Sequence, residues 1–374
     1  GPGAIFWMWV TALLGMVITF AEAVLGQLFR EKQEDGTYKG GPAYYIEELF
    51  NKGVLARVLA VFFSLSCILA LGFMGNGVQA NSIGEAVQNA LNISPYITGA
   101  VVALLGGFVF FGGLKRIASF TEKVVPVMAG LYILICAVII IINNANILTA
   151  FEAIFANAFS TKSILGGFLG MGVKKAIRYG VARGLFSNEA GMGSTPHAHA
   201  IAKVKNPVEQ GNVALITVFI DTFVVLTLTA LVILTSNVGD GNLTGITLTQ
   251  KSFEAALGYS GNIFIAVAPF FFAFSTIIGW YFFGEANIKY LFGKKAILID
   301  DIIDTAGTIC NAAEALLKFG AKEVYACATH PVFSDPAVER LKNSAFTRVV
   351  VTDSIYLPEE QRFEKLRILS TSKM

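Results

Sequence analysis

The chain has 374 residues, 55% of them hydrophobic and 14% charged, with a mean hydropathy of +0.64. Such proportions exclude an ordinary soluble globular protein and point to a polytopic membrane protein. The formal net charge of +2 supplies no basic surface of the kind that binds nucleic acid, so no nucleic-acid partner is expected.

Charge is spread unevenly. Residues 295–374 hold 10 Lys+Arg and 11 Asp+Glu, whereas the preceding residues are dominated by long apolar runs. A membrane part over 1–293 and a soluble part over 294–374 are therefore expected. The sequence begins GPGAIFWMWV, already inside an apolar run and with no signal-peptide charge region, and so reads as a fragment. Cys67, Cys136, Cys310 and Cys327 form no CxxC pair and read as buried or reduced thiols.

Residues 4–29 are long enough to span about 30 Å of hydrocarbon. Trp7 and Trp9 suit an interface, and Glu22 near the far end is either a functional intramembrane acid or a headgroup contact. Residues 30–53 read as a polar loop with a turn at Gly40-Gly41-Pro42. Further spans are predicted at 54–78, 96–112, 124–142, 212–236 and 262–283, with a broken element over about 165–201, giving seven crossings.

Basic residues sort by side. Loops 30–57, 113–123 and 202–211 carry most of them and are predicted cytoplasmic, along with the tail. Lys174, Lys175 and Arg178 depart from that pattern: either they line a wet vestibule or the helix enters deeper than residue 165. The expected location is the cell inner (plasma) membrane, with the lipid bilayer as partner.

Three polar clusters interrupt the apolar runs. The first is Arg183 to His199, RGLFSNEAGMGSTPHAH, where Gly184, Gly191, Gly193 and Pro196 oppose a continuous helix. Non-helical backbone at membrane depth survives only where protein buries it or where it lines a wet cavity. Broken helices of that kind hold substrate and ions in secondary transporters. Ser187, Asn188 and Gly191 are candidate substrate contacts. A Gly-rich helix-packing face is the alternative. The second cluster is GNGVQANS at 75–82, where Gln79 could hydrogen-bond a zwitterion or the helix could simply end. The third is Ser275-Thr276 with Trp280, hydroxyls that could bind a small cation or bond back to the preceding turn.

With these motifs in view, residues 1–293 resemble the alanine/glycine:cation symporter family, the sodium:alanine symporters. GPGAIFWMWVTALLGM, GNGVQANS, GLFSNEAGMGS and STIIGWYFFGEA carry the resemblance. It implies a partial inverted-repeat sodium-symporter fold, mainly α, and sodium-coupled transport of a small neutral amino acid, alanine or glycine, with no enzymatic chemistry. Gln79, Phe186 and Trp280 would contact the amino acid; Ser275 and Thr276 would bind sodium. The family's broken first core helix is expected upstream of Gly1 and its last helices beyond residue 293, so the chain is expected to hold part of a site.

In the tail, AILIDDIIDTAGTICNAAEALLKF at 296–319 reads as a strand, a small-residue loop and a helix, an arrangement that could cradle phosphate. Asp300 and Asp301 could take ribose hydroxyls or magnesium. Strands are predicted at 323–329 and 347–353 and a helix at 336–343, an α/β half-domain. Residues 296–369 resemble the C-terminal part of ribose-phosphate pyrophosphokinase through DDIIDTAGT and CATHPVFSDPAVERL. Asp304, Thr305, Ala306, Gly307 and Thr308 would then hold a 5-phosphate. The two resemblances meet without a linker at 293–299, so a chimera of two incomplete genes is expected, with too little of the kinase-like part for catalysis. The alternatives to a transporter are a ribose-phosphate pyrophosphokinase fragment and a chimera with neither activity as it stands.

Overall fold

A computed structural model describes residues 1–33, 36–110, 113–159, 171–238, 243–293, 295–318 and 321–373. The chain divides into two compact units, Gly1–Asn287 and Ile288–Met374.

The first unit is helical. Helix α1 (Gly3–Leu28) carries a stripe of buried small residues, among them Ala4, Thr11, Ala12, Gly15, Thr19, Ala23 and Gly26. Small side chains let backbones approach where lipid supplies no hydrophobic drive between helices. The indole N–H groups of Trp7 and Trp9, predicted to face the interface, find partners inside the bundle. Trp7 donates to Ala158 O at 3.2 Å and Trp9 to Thr227 Oγ1 at 2.9 Å.

The predicted loop 30–53 contains a two-stranded antiparallel ladder, β1 (Glu31–Lys32) with β2 (Tyr38–Lys39), and a short helix, α2 (Pro42–Leu49). Pro42 suits the first helical turn, where no intrahelical N–H bond is lost. Helix α3 (Val54–Leu91) runs on through GNGVQANS. The second polar cluster is therefore mid-helix, and the expected helix end near residue 78 is corrected. A π-helical stretch, Ile68–Gly75, absorbs the break in periodicity. Asn76 Nδ2 and Ser82 Oγ bond back to Gly72 O and Val78 O, so these polar side chains do not unwind the helix.

There follow α4 (Pro95–Phe110), α5 (Gly113–Ile142) and α6 (Ile147–Ala158). The start of the broken element, residues 165–170, lies outside the described residues. The rest comprises α7 (Met171–Asn188), non-helical backbone at 189–195 and α8 (Pro196–Ile201). Then come α9 (Pro207–Thr235), with a second π-helical stretch at Ile220–Leu226, α10 (Gly245–Leu257) and α11 (Tyr259–Phe292). Among the described residues, α1, α3, α9, α11 and the Thr121–Ile142 part of α5 are long and apolar enough to cross a membrane, with α4 a shorter apolar helix. Their outer faces expose Leu14, Val17, Phe62, Phe73 and Leu104, the pattern of a lipid-facing surface.

The second unit is an α/β layer. Strands β3 (Lys295–Ile303), β4 (Glu323–Pro331), β5 (Arg348–Thr352) and β6 (Leu366–Leu369) form one parallel sheet in that order. Helices α12 (Gly307–Lys318) and α13 (Ala337–Asn343) connect the first three. β6 extends the predicted half-sheet by one strand. Ile303, Val324, Ala326, Phe333, Leu341, Phe346, Val349 and Val351 make its core.

Candidate functional site

The break between α7 and α8 is built by left-handed backbone. Glu189, Gly191 and Gly193 have φ of 55°, 81° and 74°. Gly193 is fixed twice over, since a Cβ there would also meet the Phe63 ring at 2.7 Å and Pro42 at 2.9 Å. Backbone groups released by the break are taken up by α1. Glu22 Oε2 accepts from Gly191 N and Glu22 Oε1 from Gly193 N, both at 3.1 Å. On the far side, Gln27 donates to His199 O and to Ala202 O, and Arg30 donates to Ala200 O at 3.2 Å and Ala202 O at 2.6 Å. Helix α1 and the residue just past its end thus satisfy released donors with a carboxylate and released acceptors with an amide and, from Arg30, a guanidinium.

A second anchor joins α8 to α11. His197 is buried, with Nδ1 at 2.8 Å from Ser194 O and Nε2 at 3.0 Å from Asn287 Nδ2. A carbonyl can only accept, so Nδ1 carries the proton and Nε2 accepts from the Asn287 amide. This places His197 in a structural role. Among the described residues no group of three or more His, Cys, Asp or Glu is arranged to hold a metal.

Beside the break lies a cavity of about 250 Å³, lined by Gln79 from α3, Phe186 and Ser187 from α7, Glu189, Asp221 from α9, and Thr276 and Trp280 from α11. A water takes a share of about 30 Å³ and drug-sized ligands need about 300–1,000 Å³, so the space suits a molecule of a few heavy atoms with an ion or water. Trp280 is 2% exposed, packs its ring on the Cα of Gly75 and donates Nε1–H to Glu189 Oε1 at 2.5 Å. Ser194 Oγ donates to the other Glu189 oxygen. Phe186 meets Trp280 edge to face, 5.7 Å between centroids, and is 41% exposed. Ser187 Oγ donates to Asp221 Oδ2 at 2.8 Å.

The structure therefore brings Gln79, Phe186, Ser187, Thr276 and Trp280 to one cavity. Asn188 and Gly191 stand behind its wall: buried Asn188 faces Thr222 Oγ1 at 3.4 Å and accepts from Ala190 N, while the Gly191 N–H is taken by Glu22. Ser275 and Thr276 hydroxyls donate to Phe272 O at 2.8 and 3.0 Å, so each bonds back to the preceding turn and keeps oxygen lone pairs for a cation. Ser275 is not among the lining residues. Sequence reasoning passed over Asp221, although a lone acid inside an apolar span is the usual mark of an intramembrane functional site.

In the second unit, β3 ends at Ile303 and α12 starts at Gly307, with Ala306 at φ 60° between them. Arg340 Nη1 donates to Thr305 O at 3.0 Å, bracing the loop from α13. Asp300 and Asp301 are exposed, and the Asp300 side chain accepts from Asp301 N at 2.9 Å.

Residues 1–320 match the sodium:alanine symporter family, and residues 288–374 match the phosphoribosyl synthetase-associated domain. The chain is 42% identical over 301 residues to the sodium/alanine symporter AgcS of Methanococcus maripaludis, covering 79% of this chain and 65% of that protein. It is 43% identical over 305 residues to the putative sodium/proton-dependent alanine carrier protein YrbD of Bacillus subtilis, covering 78% of this chain and 61% of that protein. These relatives are transporters by name, and the chain spans only about six-tenths of their length. A phosphoribosylpyrophosphate synthetase structure from Mycobacterium smegmatis is 44% identical over 21% of this chain and 26% of its own, with a TM-score of 0.21.

Proposed function

Since the chain belongs to the sodium:alanine symporter family, we propose that its membrane unit serves sodium-coupled symport of a small neutral amino acid, alanine or glycine. The observation that carries this reading is the cavity at the broken helix, sized for such a molecule and walled by Gln79, Phe186, Ser187 and Trp280. Gln79 hydrogen-bonds the zwitterion, Phe186 and Trp280 close over its side chain, and Asn188 and Gly191 hold the break in shape. Thr276, with Ser275 behind it, supplies hydroxyl oxygens to sodium.

Alternating access needs a binding region whose walls belong to different helices. Here α3, α7, α9 and α11 each contribute, while α1 is tied to the break through Glu22 and to the end of α8 through Gln27. Seven crossings in a partial inverted-repeat arrangement, an inner-membrane location and a cytoplasmic tail complete the proposal for domain 1–293. For domain 294–374 the reading is a ribose-phosphate pyrophosphokinase-like fragment, with residues 304–308 as a phosphate cradle and magnesium as a candidate ion. The match over residues 288–374 favours it.

Equilibrium binding of labelled alanine to the full-length protein tests the transport reading. Saturable binding in sodium, lost in potassium and weakened by Gln79→Ala, is expected. Binding that is equal in the two salts would count against it.

A further inference from the structure

We propose that Asp221 is the specificity-determining residue that keeps amino acids with anionic side chains out of the cavity. The inference rests on the transport reading above and adds a residue and a physical cause to it.

Asp221 lies in the π-helical stretch of α9, flanked by TVFI and TFVVL, where a carboxylate is costly to place. It faces the cavity, and no Lys, Arg or His is among the described residues that line it. Two acids line it, Glu189 and Asp221. Both oxygens of Glu189 are engaged, one by the Trp280 indole and one by Ser194. Nearby Glu22 is spent on two backbone N–H groups. Asp221 takes the Ser187 hydroxyl. All of these donors are neutral, so hydrogen bonding cancels neither acid's charge and the cavity wall is acidic at Asp221.

Size does not separate a neutral side chain from an acidic one of the same shape. A cavity of about 250 Å³ that admits asparagine also admits aspartate, which has nearly the same shape. Charge does separate them. A zwitterion with one sodium ion brings net positive charge to a negative wall. A side-chain carboxylate cancels that and is set against Asp221, and like-charge juxtaposition across a partly desolvated contact is strongly disfavoured. Of two side chains that both fit, the neutral one is thereby accepted and the acidic one is set against Asp221 in the cavity wall.

The test is competition against labelled alanine in sodium, using the full-length protein in proteoliposomes. In the unaltered protein, L-asparagine should compete at least about tenfold better than L-aspartate. Asp221→Asn should bring the two inhibition constants within about threefold, and Asp221→Glu, which keeps the charge, should preserve the preference. Asp221→Ser carries the same expectation as the asparagine variant and replaces it if that variant does not fold. An unchanged asparagine-to-aspartate ratio in the neutral variants overturns the inference alone. A folded neutral variant that binds no alanine also overturns it, by making Asp221 a general requirement for binding. Absence of sodium-dependent alanine binding in the unaltered protein overturns the inference together with the reading it rests on.

Discussion

Replacing Glu22 by alanine removes the carboxylate that holds the break between α7 and α8. Two hydrogen bonds are lost, from Gly191 N and Gly193 N, each 3.1 Å long. A hydrogen bond to a charged group is worth about 1.5–3 kcal/mol, so the pair sums to at most about 3–6 kcal/mol. The Gly191 bond is exposed, and solvent can replace part of it. A local loss of about 2–4 kcal/mol is the fitting expectation. At about 1.4 kcal/mol per factor of ten, amide exchange over residues 186–196 should accelerate roughly 30- to 1,000-fold. Glu22→Gln keeps one acceptor oxygen and should lie between. Hydrogen–deuterium exchange of the protein in nanodiscs reads this, with a segment inside α11 as an internal reference that should not change. If Glu22→Ala leaves exchange at 186–196 within about threefold of the unaltered protein, α1 does not hold the break and the reasoning fails.

Trp280→Phe keeps an aromatic ring on Gly75 but drops the donor to Glu189, freeing that carboxylate to swing into the cavity; sodium-dependent alanine binding should weaken about tenfold, read by equilibrium binding. Gly193→Ala forces a side chain onto left-handed backbone and against Phe63 and Pro42; a loss of about 2–4 kcal/mol should appear as a lower melting temperature in detergent. In the tail, the Thr371 hydroxyl and backbone N–H hold the Asp353 carboxyl down at about 2. A depressed acid stabilises the fold above its unfolded value, near 4, and that contribution disappears as pH falls to about 2. Proteolytic protection of residues 348–371 should therefore weaken across that window, and Asp353→Asn should flatten the pH dependence.

Much of the fold is legible because membrane burial writes itself into composition. Long apolar runs mark α1, α3, α9 and α11, and the glycines and proline of 184–196 mark the break. Gln79, Phe186 and Trp280, named from a family resemblance, meet at one cavity, although they come from three different helices. Other features are invisible one residue at a time. GNGVQANS looks like a helix end because Asn, Gly and Ser favour ends, yet π-helical backbone and bonds to the preceding turn carry the helix through it. That the Gly191 N–H is satisfied by Glu22 depends on two segments far apart in sequence. The strand Leu366–Leu369 is four residues long, too short for its alternating burial to stand out in the sequence. Asp221 differs from these, because its signal was present in an otherwise apolar span.

Gradient-driven uptake tests the central claim most directly. The full-length protein, reconstituted in proteoliposomes, should accumulate labelled alanine when sodium is higher outside than inside. It should stop when the sodium gradient is collapsed or when sodium is replaced by potassium. Accumulation that ignores the sodium gradient, or no accumulation above that of empty vesicles, would contradict the account.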